Sequence, residues 1–388
     1  MLEKTLMARP PKYCDCVTSF HMALGAAVSA PGIDVKNIKT KDVAEERRQE
    51  QYIRLSKMDV SISNAIVFSN GDFVFVFKCD DVFYLGLSID KFTKEEFNVV
   101  EDYILEQECS PHHLEECFFI NFVHTLYGVY RVLLQSDTIV SQLGLAERIN
   151  HEDYKGHDFD ELMGIFPTLK IYEVGKNSTI VNKDIWEFCT YLAIYCSSMR
   201  TGILDDLHIE KIKLLFELKS IRMENLYLFL TASHYKHAFL EIYRCIEAIY
   251  YLPWMHSLKS KLATQINSFE LARIVSETIK WREKEKVSIS ELFSMTSAKV
   301  FVDSKLSDLS FIDKLDYEKE ENRRAFATTL YTIRNQSVHQ QDYEIIETIK
   351  LTAADWKTLL TFTINLVSHL YDTYSGDIFV YESLFNYE

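Results

Sequence analysis

Between residues 61 and 89, apolar residues fall into short runs rich in β-branched and aromatic side chains. The runs have strand length and read SISNAIVFS over residues 61–69, FVFVFK over 73–78 and VFYLGLSI over 82–89. Asn70-Gly71 separates the first two runs, and this dipeptide is a strong signal for a β-hairpin. The pattern therefore predicts a three-stranded antiparallel meander, and residues 169–174 predict one further strand.

Apolar residues recur at helical spacing elsewhere in the chain. In the first half the predicted helices cover residues 42–56, 93–107 and 113–135. From about residue 184 onward helical patterns follow one another, over residues 184–198, 207–222, 225–252, 257–281, 288–297, 319–337 and 353–374. The last pattern carries one apolar stripe, formed by Trp356, Leu360, Ile364, Val367 and Tyr371.

These elements predict an α+β protein with two domains. Residues 1–200 form a mixed N-terminal domain with the antiparallel meander, and residues 205–388 form an all-α bundle. A chain of 388 residues is long enough for two domains, and only 11 Gly and 6 Pro favour long helices over tight turns. Hydrophobic residues make up 47% of the chain, which excludes a disordered protein.

The chain is acidic, with 57 Asp and Glu against 42 Lys and Arg and a net charge of −15. Residues 101–160 are the acidic extreme, with 3 Lys or Arg and 12 Asp or Glu. This balance argues against a protein that coats nucleic acid non-specifically, although it leaves room for a local basic site. Eight dispersed cysteines and the absence of a signal peptide or a long apolar run predict a cytoplasmic protein without membrane contact.

No glycine-rich phosphate-binding motif or zinc-protease motif occurs, so we expect no nucleotide cofactor and no catalytic metal. One metal-binding alternative stays open in the N-terminal half. Cysteine and histidine at close spacing can bind zinc, and the candidate ligands are Cys109, His112, His113 and Cys117. The apolar residues that follow Cys117 favour the other interpretation, a cysteine buried in a helix.

The most informative segment is residues 323–342, RRAFATTLYTIRNQSVHQQD. Phe326, Leu330 and Ile333 form its core stripe, while Arg334 and Asn335 lie on the adjacent face. Arg334 and His339 are five positions apart, so an unbroken helix places them about 140° apart. Joint action therefore requires the helix to end near Ser337–His339, or two copies of the segment to meet. A structural alternative also exists, because Arg, Asn and His near a helix end can cap carbonyl groups.

Arg334-Asn335-Gln336-Ser337-Val338-His339 resembles the hallmark of the HEPN superfamily, which is Arg, a polar residue and then His after four to six intervening positions. The segment AFLEIYRCIE, residues 238–247, looks like the early helix of HEPN domains from phage-defence and abortive-infection systems. The resemblance covers roughly residues 220–375. The N-terminal half resembles no family.

The resemblance implies a metal-independent endoribonuclease that acts as a homodimer through its helical domain. It assigns proton transfer to His339, phosphate binding to Arg334, and orientation of the phosphate or the imidazole to Asn335. Glu247 is the single charge in an apolar run, so it needs a partner, and Arg334 is the natural one. Glu241 and Arg244 fit a surface pair at i, i+3 instead.

Such an enzyme would cleave RNA as a toxin or effector in antiviral defence or abortive infection. The N-terminal domain would sense a trigger or restrain the nuclease, and a regulatory or antitoxin partner is compatible with this role. Because some HEPN domains lack activity, the alternative function is a catalytically inactive binding or dimerisation scaffold.

Overall fold

The computed structural model describes residues 13–28, 38, 45–60, 65–132, 134–148, 151–178, 180, 185–218, 220–263, 265–278, 285–338 and 349–378. The chain divides into two compact units, Met1–Asn182 and Lys183–Glu388. This division lies about 20 residues before the predicted boundary at 200–205, so the predicted helix over 184–198 belongs to the second unit. The described residues confirm an α+β protein, with a sheet in the first unit and helices in the second.

In the first unit the described helices are α1 (Tyr13–Ala27), α2 (Glu45–Leu55), α3 (Lys94–Glu106), α4 (Glu116–Thr125), α5 (Ser136–Gln142), α6 (Leu145–Arg148) and α7 (Phe159–Met163). The described strands are β1 (Met58–Asp59), β2 (Ala65–Val67), β3 (Phe73–Cys79), β4 (Val82–Ser88), β5 (Cys109–His112) and β6 (Leu169–Val174). The predicted helix over 113–135 is therefore wrong in length, since α4 ends at Thr125.

The described strands form one antiparallel sheet in the order β1-β3-β4-β6-β5, and β2 also pairs with β3. This confirms the predicted meander β2-β3-β4, although residues 61–64 of its first strand lie outside the described residues. The Asn70-Gly71 turn spans residues 68–72, because Val67 pairs with Phe73. Gly71 has φ +94°, a left-handed conformation that glycine adopts without strain.

Helices cover both faces of this sheet. Phe75 and Phe77 of β3 point to one face and contact Phe122 of α4, with ring centroids 4.9 and 5.0 Å apart. On the other face, Tyr172 of β6 donates a hydrogen bond to Glu101 of α3 at 3.1 Å. Because side chains alternate between the two faces of a strand, side chains of this sheet contact helices on both of its faces.

In the second unit the described helices are α8 (Ile185–Tyr195), α9 (Asp206–Phe216), α10 (Met223–Leu230), α11 (Tyr235–Glu247), α12 (Leu252–Leu262), α13 (Ser268–Thr278), α14 (Glu285–Met295), α15 (Ala298–Asp303), α16 (Glu320–Val338) and α17 (Ala353–Thr373). Short 3₁₀ turns cover Ser197–Met199, Leu306–Asp308 and Ser375–Asp377. No strand occurs in the part of this unit that the structure describes.

Two helices predicted as continuous are interrupted. The segment over 225–252 divides into α10 and α11, because the chain turns between Leu230 and Tyr235. The Ala232 carbonyl in this turn accepts a hydrogen bond from the Thr201 hydroxyl at 2.5 Å. The segment over 257–281 divides into α12 and α13, and its residues 279–281 lie outside the described residues. α12 ends at Leu262, and Ala263, which follows it, has a left-handed φ of +49°.

The core of the second unit forms around α17. The predicted stripe from Trp356 to Tyr371 is buried along its whole length. The Tyr371 hydroxyl donates to the Cys245 carbonyl of α11 at 3.0 Å, which joins the two helices near the end of α11. Phe326 of α16 packs against Phe362 of α17, with ring centroids 5.2 Å apart. These contacts fix α11 and α16, which carry the candidate site residues.

Candidate active site

Glu247 and Arg334 form an ion pair between two helices of the second unit. Glu247 is the last residue of α11, and Arg334 lies one turn before the end of α16. Its Nε donates to Oε1 of Glu247 at 2.9 Å, and its Nη2 lies 2.8 Å from the same oxygen. The predicted partnership of these two residues is therefore confirmed.

The opposite side of the Arg334 guanidinium contacts Asn335. Nη1 of Arg334 donates to Oδ1 of Asn335 at 3.0 Å. The guanidinium is thus held from both sides, while 22% of the Arg334 side chain is exposed. Because a guanidinium carries a fork of N–H donors, the exposed part of the group can still bind the oxygen atoms of an anion.

Burial and the opposite charge act against each other at this pair. Burial raises the pKa of Glu247, and the attraction of Arg334 only partly offsets this effect. Burial alone would lower the pKa of Arg334, but Glu247 outweighs it and the pKa is raised. Arg334 therefore stays cationic in this half-buried position, as phosphate binding requires.

Two buried tyrosines extend the site, and the sequence analysis did not identify them. The Tyr250 hydroxyl donates to the Tyr243 hydroxyl at 2.8 Å. Burial raises the pKa of Tyr243, the nearby charge of Glu247 raises it further, and Arg334 lowers it. Tyr243 and Glu247 are spaced i, i+4 on α11, and this spacing in the sequence places them on one face of the helix, while Tyr250 follows three residues after the helix ends.

His339 lies outside the described residues. It follows directly after Val338, the last residue of α16. Its role in proton transfer accordingly stays a prediction, whereas Arg334, Asn335 and Glu247 lie together at the end of α16.

Arg244 lies on the same helix as Glu247 but has a different partner. Its Nη1 lies 2.7 Å from Glu241, as predicted, and 55% of its side chain is exposed. Glu241 also accepts a hydrogen bond from Asn225 at 3.0 Å. Arg244 is therefore a surface arginine in a local i, i+3 pair, and it is a suitable control for Arg334.

The first two candidate zinc ligands point away from each other. Cys109 and His112 lie three residues apart on β5, where alternation of side chains directs them to opposite faces. The Cys109 thiol lies 3.7 Å from the Ser178 hydroxyl, whereas Nε2 of His112 lies 3.2 Å from Glu115. Each of the two residues thus has a partner of its own.

The other two candidate ligands also have separate surroundings. Nδ1 of His113 lies 2.8 Å from the Leu114 carbonyl at the surface. Cys117 is buried at the start of α4, where burial and the Glu115 carboxylate raise the pKa of its thiol to about 12. Among the described residues, no group of three or more His, Cys, Asp or Glu side chains is arranged to hold a metal ion. The structure therefore does not bring these four residues together as a metal-binding group.

Seven of the cysteines whose side chains are described are buried, namely Cys16, Cys79, Cys109, Cys117, Cys189, Cys196 and Cys245. A search of the described helices finds none that is both long and apolar enough to cross a membrane.

Comparison with known proteins finds no relative. The chain matches no protein-family model, no curated protein and no solved structure. The resemblance to the HEPN superfamily therefore depends on the residues of this chain alone.

Proposed function

We propose that the second unit is a HEPN-type endoribonuclease that cleaves RNA without a metal ion or cofactor. The observation that carries the proposal is the Arg334 guanidinium, which is held between Glu247 and Asn335 and is still partly exposed. An arginine fixed in this way can bind a phosphodiester and stabilise the charge that develops during its cleavage.

The reaction uses the substrate's own nucleophile. The 2′-hydroxyl oxygen of a ribose attacks the adjacent phosphorus, the bond from phosphorus to the 5′ oxygen breaks, and a 2′,3′-cyclic phosphate forms. His339 takes the 2′-hydroxyl proton, and the imidazolium so formed returns a proton to the departing 5′ oxygen, which leaves as a hydroxyl group. Arg334 binds the phosphate oxygens, and Glu247 and Asn335 hold its guanidinium in position.

The proposal extends to assembly and biological role. The enzyme acts as a cytoplasmic homodimer formed through the helical unit, and it cleaves RNA as a toxin or effector in antiviral defence. The first unit senses the trigger or restrains cleavage. A regulatory or antitoxin partner would likewise control cleavage. Joint action of Arg334 and His339 requires the helix to end near Ser337–His339 or two copies of the segment to meet, and dimerisation supplies the second of these routes.

The chemistry is tested with a labelled RNA and excess chelator. The full chain should release fragments with 2′,3′-cyclic phosphate and 5′-hydroxyl ends, and a fully 2′-O-methylated RNA should stay intact. Cleavage of the methylated RNA, or a strict need for a divalent ion, would contradict the mechanism. If the unmodified RNA also stays intact, the proposed function fails and the result supports a non-catalytic dimerisation scaffold.

A further inference from the structure

The face of α16 that carries Arg334 also carries two apolar residues that the proposed mechanism does not use. Tyr331 lies about one turn before Arg334, Val338 lies about one turn after it, and Asn335 belongs to the same face. Tyr331 is partly exposed, and Val338 is 47% exposed. Ile333, by contrast, is buried in the core on another side of the helix. A cation with an apolar neighbour on each side is therefore accessible from solvent.

Tyr331 differs in its contacts from the buried tyrosines of the second unit. Tyr243 and Tyr250 are buried, and their hydroxyl groups are joined at 2.8 Å. The Tyr331 hydroxyl forms no hydrogen bond, and its ring contacts no other aromatic ring, among the described residues. A tyrosine presents a large and rigid contact area at a low cost in conformational entropy. The ring of Tyr331 is therefore available to a ligand that binds beside Arg334.

Tyr331 and Arg334 are close enough to contact one strand of RNA together. Three residues of an α-helix rise about 4.5 Å along its axis, and side chains at i, i+3 are neighbours on its surface. Stacked nucleotides of one strand are about 3.4 Å apart. A base beside a phosphate at Arg334 therefore reaches the ring of Tyr331. Aromatic side chains stack on the faces of unpaired bases, and this contact tolerates any base.

We propose that Tyr331 stacks on the RNA base next to the phosphate that Arg334 binds, a substrate-binding role that rests on the proposed nuclease function. The base on the other side of that phosphate contacts Val338. The bound stretch of RNA is unpaired, because a base within a duplex does not present its face to a protein ring. A second copy of the chain fits this face less well. Stable protein interfaces have about 20–30 residues on each side, whereas two apolar residues flank one cation here.

Fluorescence anisotropy of the full chain tests the stacking contact without cleavage. The probes are a labelled oligomer of 2′-O-methyluridine and an abasic oligomer with the same backbone and length. We expect the wild type to bind the uridine oligomer about tenfold more tightly than the abasic one. Tyr331→Leu keeps an apolar side chain but removes the ring, so this preference should fall to about twofold or less. Tyr331→Phe keeps the ring and should retain the wild-type preference.

The matched control is Tyr195→Leu, which removes a 46% exposed tyrosine of α8 and should keep the wild-type preference. Circular dichroism verifies that each variant is folded, and Tyr331→Gln replaces Tyr331→Leu if the latter does not fold. Equal binding of the two oligomers by the wild type would overturn the proposal, as would an unchanged preference in Tyr331→Leu or an equal loss in Tyr195→Leu. Sedimentation velocity supplies a further criterion, because a change of oligomeric state in Tyr331→Leu would assign this face to a second copy of the chain and overturn base stacking.

The two proposals can fail separately. If the wild type cleaves unmodified RNA but Tyr331→Leu keeps the preference for the uridine oligomer, the stacking contact fails and the nuclease stands. If the wild type shows the preference and Tyr331→Leu loses it, but unmodified RNA stays intact, the stacking contact stands and the nuclease fails.

Discussion

The guanidinium of Arg334 lies 2.8 Å from the carboxylate of Glu247, although 87 residues separate the two in the chain. The pair joins the end of α11 to the end of α16. Side-chain exposures of 22% and 29% place it between a surface pair and a fully buried one. Surface pairs contribute up to about 1 kcal/mol, and breaking a buried pair costs about 3–5 kcal/mol.

Replacing Arg334 with Gln should therefore lower the free energy of unfolding by about 1–2 kcal/mol at pH 7. The Glu247 carboxylate loses its counter-charge, and its raised pKa rises further. The loss of unfolding free energy is measured by urea titration with tryptophan fluorescence as the signal. This signal reports on the second unit, because the sequence range of that unit contains all four tryptophans (Trp186, Trp254, Trp281 and Trp356).

The control is Arg244→Gln, which removes a surface pair and should cost less than about 0.5 kcal/mol. A group whose pKa is raised on folding destabilises the fold in its charged form, so the defect of Arg334→Gln should shrink as the pH falls toward 5. Equal losses of unfolding free energy in the two arginine variants would show that the ion pair with Glu247 stabilises the fold no more than the surface pair with Glu241.

Asp355 should make the second unit sensitive to acid. Its carboxylate is 2% exposed and accepts hydrogen bonds from Ser310 and Thr352, each through its backbone N–H and its hydroxyl, at 2.6–2.9 Å. Burial would raise the pKa of Asp355, but these bonds outweigh burial and lower it to about 2. A depressed pKa stabilises the fold above the ordinary value near 4, and this contribution is lost as the pH falls through 2.

We expect a loss of about 2 kcal/mol between pH 4 and pH 2 from this group alone. In Asp355→Asn the second unit should be less stable at pH 7 and should depend less on pH over that range. Tryptophan fluorescence measured during acid and urea titrations gives both quantities. The exposed residue Asp313 supplies the control Asp313→Asn, which should retain the wild-type acid profile; if both variants retain it, Asp355 is not the acid-sensitive group.

Gly86 should be intolerant of any side chain. It pairs with Phe75 across β3 and β4, and a Cβ atom at Gly86 would lie 2.3 Å from Cε1 of that ring. Gly86→Ala should cost about 1–3 kcal/mol through overpacking. Hydrogen exchange of the peptides that contain β3 and β4 measures the loss.

Gly164→Ala is the matched control in the same unit, because its nearest neighbour would lie at an ordinary 3.4 Å. The double variant Phe75→Leu with Gly86→Ala should recover part of the loss, since the smaller side chain leaves room for the new methyl group. Unchanged exchange in Gly86→Ala would show that the ring moves aside without cost.

Local sequence patterns predicted those strands whose own residues form an apolar run between turn residues. β3 and β4 are short apolar runs bounded by turn residues, whereas β5 is four residues long, contains Pro111 and has no such pattern. β5 is a strand because it pairs with β6, and that contact connects residues about 60 positions apart. A local pattern contains no information about such a partner.

The same distinction applies to the helices and to the site. The apolar pattern continues through the break between α10 and α11, where a distant residue, Thr201, satisfies the Ala232 carbonyl. The break before α13 did carry a local signal, because Asn267 caps the backbone N–H of Phe269 at 2.7 Å. Glu247 and Arg334 were predictable as partners because a lone carboxylate in an apolar run requires a cation.

The most direct test of the proposed function is the rate at which the full chain cleaves a labelled RNA in the presence of chelator. Arg334→Ala and His339→Ala should each lower this rate at least about 100-fold, because one removes the phosphate-binding group and the other the proton-transfer group. Arg244→Ala, on the same helix as Glu247, should cleave within about twofold of the wild type. Wild-type cleavage by folded Arg334→Ala would contradict the assignment of the active site.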